Sequence, residues 1–121
     1  MRFISTRTHG YLDYLISILL ICSPWLFNFF RGGMESFVPI TIGAMMLMYS
    51  FFTDYEAGTF KTIPMRTHLL MDLVGGIILA ASPWLFNFSE QISAPHTLIG
   101  LFIIGESFVS RQVPVVCHTC G

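Results

Sequence analysis

Apolar residues are grouped into four long runs that are separated by short polar segments. The runs are Gly10 to Phe30, Phe37 to Phe52, Leu69 to Phe88 and Pro95 to Val109. A helix that crosses a bilayer needs about 20 mostly apolar residues, and a shorter helix thins the bilayer locally. Membrane strands would instead alternate polar and apolar residues, which the stretch from Ile16 to Ile21 does not do. The pattern therefore predicts an all-α membrane protein with four transmembrane helices.

The second pair of runs repeats the first pair. The heptapeptide SPWLFNF at residues 23–29 recurs without change at residues 82–88, an offset of 59. Beyond the heptapeptide the offset becomes 57, where Gly43 is matched by Gly100. Self-similarity of this kind is typical of a repeat architecture. The chain is therefore predicted to be a tandem repeat of a two-helix hairpin.

The repeat units are predicted to span residues 7–53 and 66–110 of a single membrane domain, residues 1–121. A cytoplasmic tail, residues 111–121, follows the second unit. Each unit contains two helices, so both copies enter the membrane in the same direction. Copies of this kind are related by an axis along the membrane normal. We therefore expect parallel pseudo-two-fold symmetry between the two hairpins.

The composition agrees with a membrane protein, and the charges predict its orientation. Only 11% of the 121 residues are charged, whereas soluble domains carry about 25% charged residues. Lys and Arg are enriched on the cytoplasmic side of membrane proteins. Five of the six lie before the first run, between the second and third runs, or after the fourth: Arg2, Arg7, Lys61, Arg66 and Arg111. Only Arg31 lies on the other side, so both termini are predicted to be cytoplasmic.

Each repeat places a proline near the end of its first apolar run. Pro24 and Pro83 each leave the carbonyl four residues earlier without its helical donor. The neighbouring hydroxyls of Ser23 and Ser82 are candidates to supply the missing hydrogen bond. We expect a kink at the outer end of each helix, with Trp25 and Trp84 as interfacial anchors. The alternative is a half-helix that lines an ion or ligand site, as in transporters.

The two Ser-Pro-Trp tripeptides, each late in the first helix of a hairpin, resemble the SPW-repeat family of small bacterial membrane proteins. Asp13 and Asp72, in the preceding turns, belong to the same resemblance. It covers nearly the whole chain except the last ten residues. The resemblance implies a multi-pass membrane protein, but it implies no particular activity. We expect the protein in the bacterial inner (cytoplasmic) membrane.

Two histidines and two aspartates form a second repeated feature, the quartet His9, Asp13, His68 and Asp72. A spacing of four residues puts each histidine on one helix face with its aspartate. The pseudo-two-fold would bring the two pairs together at the cytoplasmic end. We expect the quartet to act as a polar latch near the membrane interface. The same side chains also suit a proton or ion path, or a divalent metal site, and these alternatives stay open.

The latch is expected to draw further partners from the first turns of the two helices. These candidates are Arg7, Arg66, Thr8 and Thr67. Thr8 and Thr67 are also predicted to be the N-caps of their helices. A haem between His9 and His68 is not expected, because both histidines lie at helix ends, where a haem would be half in water.

Several other residues have simpler interpretations. Glu106 is expected at the membrane interface near Arg111, and Cys22 is expected in the apolar core. Asn28 and Asn87 are predicted to cap the C-terminal ends of their helices. The tail offers weak metal candidates, namely Cys117, His118 and Cys120. They are weak because a structural zinc site needs four ligands.

The sequence contains no phosphate loop, dinucleotide fingerprint or serine elbow, and no basic patch for nucleic acid. These absences favour a non-enzymatic role, and we expect no cofactor. The favoured function is a structural or accessory protein of the membrane, which packs in the bilayer with itself as a homo-oligomer or with a larger complex. One alternative is a small transporter or channel with the quartet at its cytoplasmic mouth. The other is a metal or redox protein that uses the quartet or the tail cysteines.

Overall fold

The computed structural model describes residues 4–53 and 58–110, and this part of the chain folds into four α-helices. They are α1 (Thr6–Leu26), α2 (Met34–Phe51), α3 (Met65–Leu85) and α4 (Ala94–Val109). The described ranges contain no strand, only isolated bridges between Ile4 and Ser110 and between Thr53 and Ile63. The prediction of an all-α fold with one helix for each apolar run is therefore confirmed.

Helices α1 and α3 begin earlier than the sequence predicted. Ser5 is the N-cap of α1, because its hydroxyl accepts a hydrogen bond from the Thr8 N–H at 3.2 Å. Pro64, in extended conformation, precedes the first turn of α3. The prediction that Thr8 and Thr67 are N-caps is wrong. Both threonines lie inside their helices, since Ser5 and Pro64 already hold the extended backbone from which a helix starts.

The two repeats end their first helices in the same way. Asn28 and Asn87 take the left-handed conformation, with φ of 58° and 60°. Each follows directly after the C-cap residue, which is Phe27 in α1 and Phe86 in α3. Asparagine tolerates this conformation better than most residues, so it terminates a helix effectively. The predicted role of both asparagines at the helix ends is confirmed.

The serines beside the prolines compensate for the donor that proline lacks. The Ser23 hydroxyl donates to the Leu20 carbonyl at 2.8 Å, and the Ser82 hydroxyl donates to the Leu79 carbonyl at 2.7 Å. In a lipid environment a backbone carbonyl without a donor is costly. Each repeat therefore satisfies its own proline site with a side chain from the same helix, as the sequence predicted.

Glycines at matching positions allow the helices of each hairpin to approach closely. Helix α1 packs mainly against α2, and α3 packs mainly against α4. A Cβ atom added to Gly43 would lie 2.8 Å from the Ser17 carbonyl oxygen. A Cβ atom added to Gly100 would lie 2.5 Å from the Ala80 nitrogen. Both positions therefore need glycine, as is common where membrane helices pack.

The interior of the bundle is unusually polar, and its exterior is apolar. Among the described residues, buried polar side chains outnumber buried apolar ones, and large apolar side chains are exposed on all four helices. Soluble proteins bury mainly apolar side chains. By length and composition α2 and α3 are candidate membrane spans, whereas α4 is apolar but shorter. Membrane crossing by α1 and α4 stays a prediction.

Candidate functional site

The quartet comes together where α1 and α3 begin. His9 and Asp13 lie one turn apart on α1, and His68 and Asp72 lie one turn apart on α3. All four side chains are fully buried. Residues four apart share a helix face, and in each helix this face is turned toward the opposite pair. The structure therefore assembles one four-residue site from both repeats.

The shortest contacts in the quartet cross from one repeat to the other. His68 Nε2 lies 2.6 Å from Asp13 Oδ2, and His9 Nε2 lies 2.9 Å from Asp72 Oδ2. The contacts within each helix are longer, at 3.2 Å from His9 to Asp13 and from His68 to Asp72. Nitrogen and oxygen atoms therefore alternate in a closed ring, in which every histidine touches both carboxylates.

The Nδ1 atom of each imidazole, which is not part of this closed ring of contacts, contacts a hydroxyl group at the end of the opposite hairpin. His9 Nδ1 lies 2.6 Å from Ser110 Oγ, just after α4, and His68 Nδ1 lies 2.6 Å from Thr53 Oγ1, just after α2. Thr53 and Ser110 are separated by 57 residues, which is the offset between the later parts of the repeats. The two halves therefore hold their histidines in equivalent ways.

The hydrogen bonds of Thr53 fix the tautomer of His68. The Thr53 hydroxyl donates its single proton to the Tyr49 carbonyl at 2.6 Å. It must then accept from His68, so the Nδ1 atom carries a hydrogen. The Nε2 atom of a neutral His68 would direct a lone pair at the Asp13 carboxylate. A nitrogen–oxygen contact of 2.6 Å therefore requires a proton or a metal cation between the two atoms.

One of the differences between the two repeats lies directly beside the quartet. In the first repeat the Tyr49 hydroxyl donates to Asp72 Oδ1 at 2.5 Å. The matching residue of the second repeat, at the offset of 57, is Glu106. Its side chain is 3% exposed, and neither carboxylate oxygen has a hydrogen-bond partner within the described ranges. Glu106 interacts electrostatically with all four members of the quartet.

Glu106 adds to the quartet one of several partners that were not predicted. It is buried beside the quartet, its position at the membrane interface stays a prediction, and its expected neighbour Arg111 lies outside the described residues. The missed partners are Tyr49, Thr53, Ser110 and Glu106. Their signal was present in the sequence, because they occupy two matching positions at the ends of the second helices.

The partners that were expected for the latch lie elsewhere. Arg7 and Arg66 are exposed, and no ion pair joins either of them to the quartet in the described part of the chain. Thr8 accepts a hydrogen bond from the Ser5 hydroxyl at 3.0 Å, and Thr67 is exposed. In the described part of the chain, the hydroxyls that contact the imidazoles of the quartet therefore come from the helix ends of α2 and α4.

A second buried polar group lies at the opposite end of the bundle. His96, at the start of α4, donates from Nε2 to the Glu35 carbonyl at 2.8 Å. Its ring lies between Phe29 and Phe88, with centroid distances of 5.1 and 4.9 Å. Four buried apolar side chains belong to the core between the two ends: Leu20, Met46, Leu79 and Ile103. Polar groups therefore gather at both ends of an apolar middle.

The cysteines have different positions from the ones that the sequence suggested. Cys22 is exposed on α1, so the expectation of a core position is wrong. It lies on the face of α1 that neighbouring helices leave uncovered. The tail candidates Cys117, His118 and Cys120 lie outside the described residues. Within the described ranges, the group suited to a metal ion is the quartet, whose ligand atoms all lie within 4.8 Å of one another.

Comparison with known families agrees with the repeat seen in the sequence. The SPW repeat domain matches residues 7–110, a range that contains the quartet and both Ser-Pro-Trp motifs. No curated protein and no solved structure matches the chain. The resemblance drawn from the motifs is confirmed, and the chemistry of the quartet has to be argued from its own geometry.

Proposed function

Since the chain belongs to the SPW repeat family and has apolar helices, we propose that it is an integral membrane protein of structural or accessory type. Its four helices cross the bacterial inner membrane as two hairpins. The quartet holds the hairpins together at the cytoplasmic end. The lipid-facing surface then packs against a second copy of the chain or against a larger membrane complex.

The observation that carries this proposal is the closure of the quartet within one chain. The ring of histidines and aspartates uses two residues from each repeat, and all four are fully buried. Thr53 and Ser110, at the ends of α2 and α4, complete it through hydrogen bonds with the two imidazoles. Polar groups that are matched to one another inside a bundle serve to fix its arrangement, as in other membrane proteins.

Equivalent contacts in the two repeats support a parallel pseudo-two-fold arrangement. The pairs His9–Ser110 and His68–Thr53 have the same distance, 2.6 Å. The serine hydroxyls beside the two prolines bond to equivalent carbonyls, at 2.8 and 2.7 Å. In the proposed arrangement, an axis along the membrane normal would relate these contacts to one another.

The apolar middle of the bundle argues against a transport path through one chain. A proton path needs ionisable groups or water along its length. Between the quartet and the His96 end, the core contains Leu20 and Leu79, which are at most 1% exposed. Met46 and Ile103, at most 2% exposed, belong to the same apolar cluster. A structural role therefore fits the geometry better than conduction.

The proposal is tested with the full chain, purified in a mild detergent and reconstituted into liposomes. Light scattering that subtracts the detergent should give a protein mass above the 13.7 kDa of one chain, or a defined complex should co-purify. Proteoliposomes should show the same proton and cation flux as empty vesicles. A monomer that conducts ions, and whose conduction is lost in Asp13→Asn, would favour the channel instead.

The orientation has a separate test. Five of six Lys and Arg residues lie on the side of the termini, which predicts a cytoplasmic tail. Cys120 is a native probe, once Cys22 and Cys117 are replaced by serine. A membrane-impermeant maleimide should label Cys120 only in inverted vesicles or permeabilised cells. Labelling in intact spheroplasts would reverse the topology.

A further inference from the structure

We infer that the quartet binds a divalent transition-metal ion, with zinc as the representative case, and that this ion ties the two repeats together. The inference rests on the proposed role of the quartet as the link between hairpins, and it names the ligand of that site. It departs from the expectation that the protein uses no cofactor.

The donor set is the first argument. Two imidazole nitrogens and two carboxylate oxygens point at one another, and all four atoms lie within 4.8 Å. Zinc bonds to these donors are about 2.0–2.2 Å, which separates ligands in a tetrahedron by roughly 3.3 Å. The four ring contacts are 2.6, 2.9, 3.2 and 3.2 Å. Lengthening the two short contacts, by roughly 0.4 and 0.7 Å, therefore makes room for the ion.

The imidazoles decide the class of metal. Calcium and magnesium take oxygen ligands, whereas imidazole nitrogen suits zinc, copper, iron and nickel. The tautomer of His68 is already the one that a metal needs. Because Thr53 accepts from Nδ1–H, the Nε2 lone pair points into the ring. Outer hydrogen bonds of this kind orient the histidines of metal sites.

The aspartates are held from outside as well. The Tyr49 hydroxyl donates to the Oδ1 atom of Asp72, which leaves the Oδ2 atom directed at both histidines. Ligating carboxylates in metal sites are usually hydrogen-bonded in this manner. The site therefore has an inner set of four donors and an outer set that fixes both imidazoles and one carboxylate.

Glu106 is the independent observation that points to a cation. Its carboxylate is 3% exposed, has no hydrogen-bond partner within the described ranges and interacts with the quartet. A buried carboxylate without a partner is expensive unless a positive charge compensates it. With Asp13 and Asp72 it brings three carboxyl groups to one buried place. A divalent cation in the ring would offset that concentration of negative charge.

Zinc binding is measured on the full chain in detergent, after treatment with a chelator and removal of the chelator. The background variant is Cys117→Ser/Cys120→Ser, which removes the thiols of the tail. Zn²⁺ is titrated against a chromophoric chelator, and Co²⁺ loading reports the ligands through its visible absorption bands. We expect stoichiometric zinc in the background variant, together with a Co²⁺ spectrum typical of a four-coordinate nitrogen–oxygen site.

The variants separate inner ligands from outer ones. Asp13→Asn and His68→Gln should weaken zinc binding more than the roughly 10–100-fold that is typical for loss of an outer partner. Thr53→Val leaves the four donors in place and should weaken it within that range. His96→Gln, a buried histidine at the other end of the bundle, is the matched control and should bind zinc like the background variant. Circular dichroism verifies that each variant keeps its helices.

Two outcomes overturn the inference. The first is a background variant that takes up no stoichiometric zinc or cobalt. The second is zinc binding that Asp13→Asn and Thr53→Val leave unchanged, because the ion is then elsewhere. A failure of the proposed link between the hairpins has a different signature. In that case the quartet variants have the same free energy of unfolding as the metal-free parent protein, whether or not they bind zinc.

Discussion

The two ends of the helix bundle use their polar residues in different ways. At the end that carries the Ser-Pro-Trp motif, each motif serine bonds within its own helix: Ser23 bonds to a carbonyl of α1, and Ser82 bonds to a carbonyl of α3. At the other end, the shortest contacts of His9 and His68 are to aspartates of the opposite repeat. The conspicuous motif therefore serves local helix geometry, and the quartet joins the halves.

One difference between the two repeats lies beside the quartet. Tyr49 and Glu106 occupy matching positions, but the tyrosine donates a hydrogen bond to Asp72, whereas the glutamate has acceptors only. The motif end keeps the same seven residues in both copies. The difference therefore leaves one carboxylate without a hydrogen-bond partner within the described ranges beside the quartet, on the side of the second repeat.

The largest expected effect comes from His68→Leu, which removes the 2.6 Å contact to Asp13. Breaking a buried pair by removing one partner costs about 3–5 kcal/mol. We expect a loss of this size in the free energy of unfolding, measured by denaturant titration in mixed micelles. The control is His96→Leu at the motif end, where one neutral hydrogen bond is lost. Equal losses in the two variants would remove the contrast between the ends.

The next largest loss of stability is expected from a steric clash between the two helices of one hairpin. Gly100→Ala places a Cβ atom 2.5 Å from the Ala80 backbone, so the α3–α4 contact must open. Overpacking of this kind costs about 1–3 kcal/mol. In the control Gly105→Ala the added Cβ meets nothing within 4 Å, and higher helix propensity should leave stability equal or raise it by up to about 1 kcal/mol. The same unfolding titration measures both, and a neutral Gly100→Ala would contradict the close approach.

A smaller effect is expected at the proline sites. Ser82→Ala leaves the Leu79 carbonyl without the hydroxyl that now donates to it at 2.7 Å. Hydrogen bonds made by side chains in membrane proteins are worth about 0.6 kcal/mol on average, with a maximum near 1.7. The control is Ser93→Ala, because the Ser93 side chain makes no cap hydrogen bond to α4. A loss above that maximum would mean that the motif end also stabilises the whole bundle.

The smallest effect on stability is expected for the tryptophans. Trp25 and Trp84 are 60% and 59% exposed, so Trp→Phe should change the free energy of unfolding within about 0.5 kcal/mol. Each substitution also leaves one tryptophan as a fluorescent probe. Lipids brominated near the headgroup should quench both probes equally and most strongly. Stronger quenching by lipids brominated near the bilayer centre would contradict an interfacial position.

The fold was largely predictable because the repeat and the apolar runs are local signals. Four helices, their order and the end of α1 and α3 at Asn28 and Asn87 all follow from sequence pattern. The starts of α1 and α3 were misplaced, because capping depends on which of several nearby residues takes the extended conformation. Ser5 and Thr8 are both acceptable caps by type, and only the backbone distinguishes them.

The site was predictable in part. The i,i+4 spacing identified all four members of the quartet, because helical periodicity decides which residues share a face. Its outer partners were assigned to Arg7 and Arg66 instead of Thr53 and Ser110. Which hydroxyl reaches an imidazole depends on how the ends of α2 and α4 dock onto the first turns, and this is a tertiary contact. Burial of Glu106 depends on the same docking.

The contacts by which the quartet joins the two repeats can be measured directly by solid-state NMR. The protein would be labelled with ¹⁵N-histidine and ¹³C-carboxyl aspartate and studied in lipid bilayers. We expect His68 Nε2 to couple to two aspartate carboxyl carbons, those of Asp13 and Asp72, with the stronger coupling to Asp13. Asp13→Asn should therefore remove the stronger coupling of His68. A His68 that couples only to Asp72, and is unchanged by Asp13→Asn, would mean that the quartet does not join the repeats.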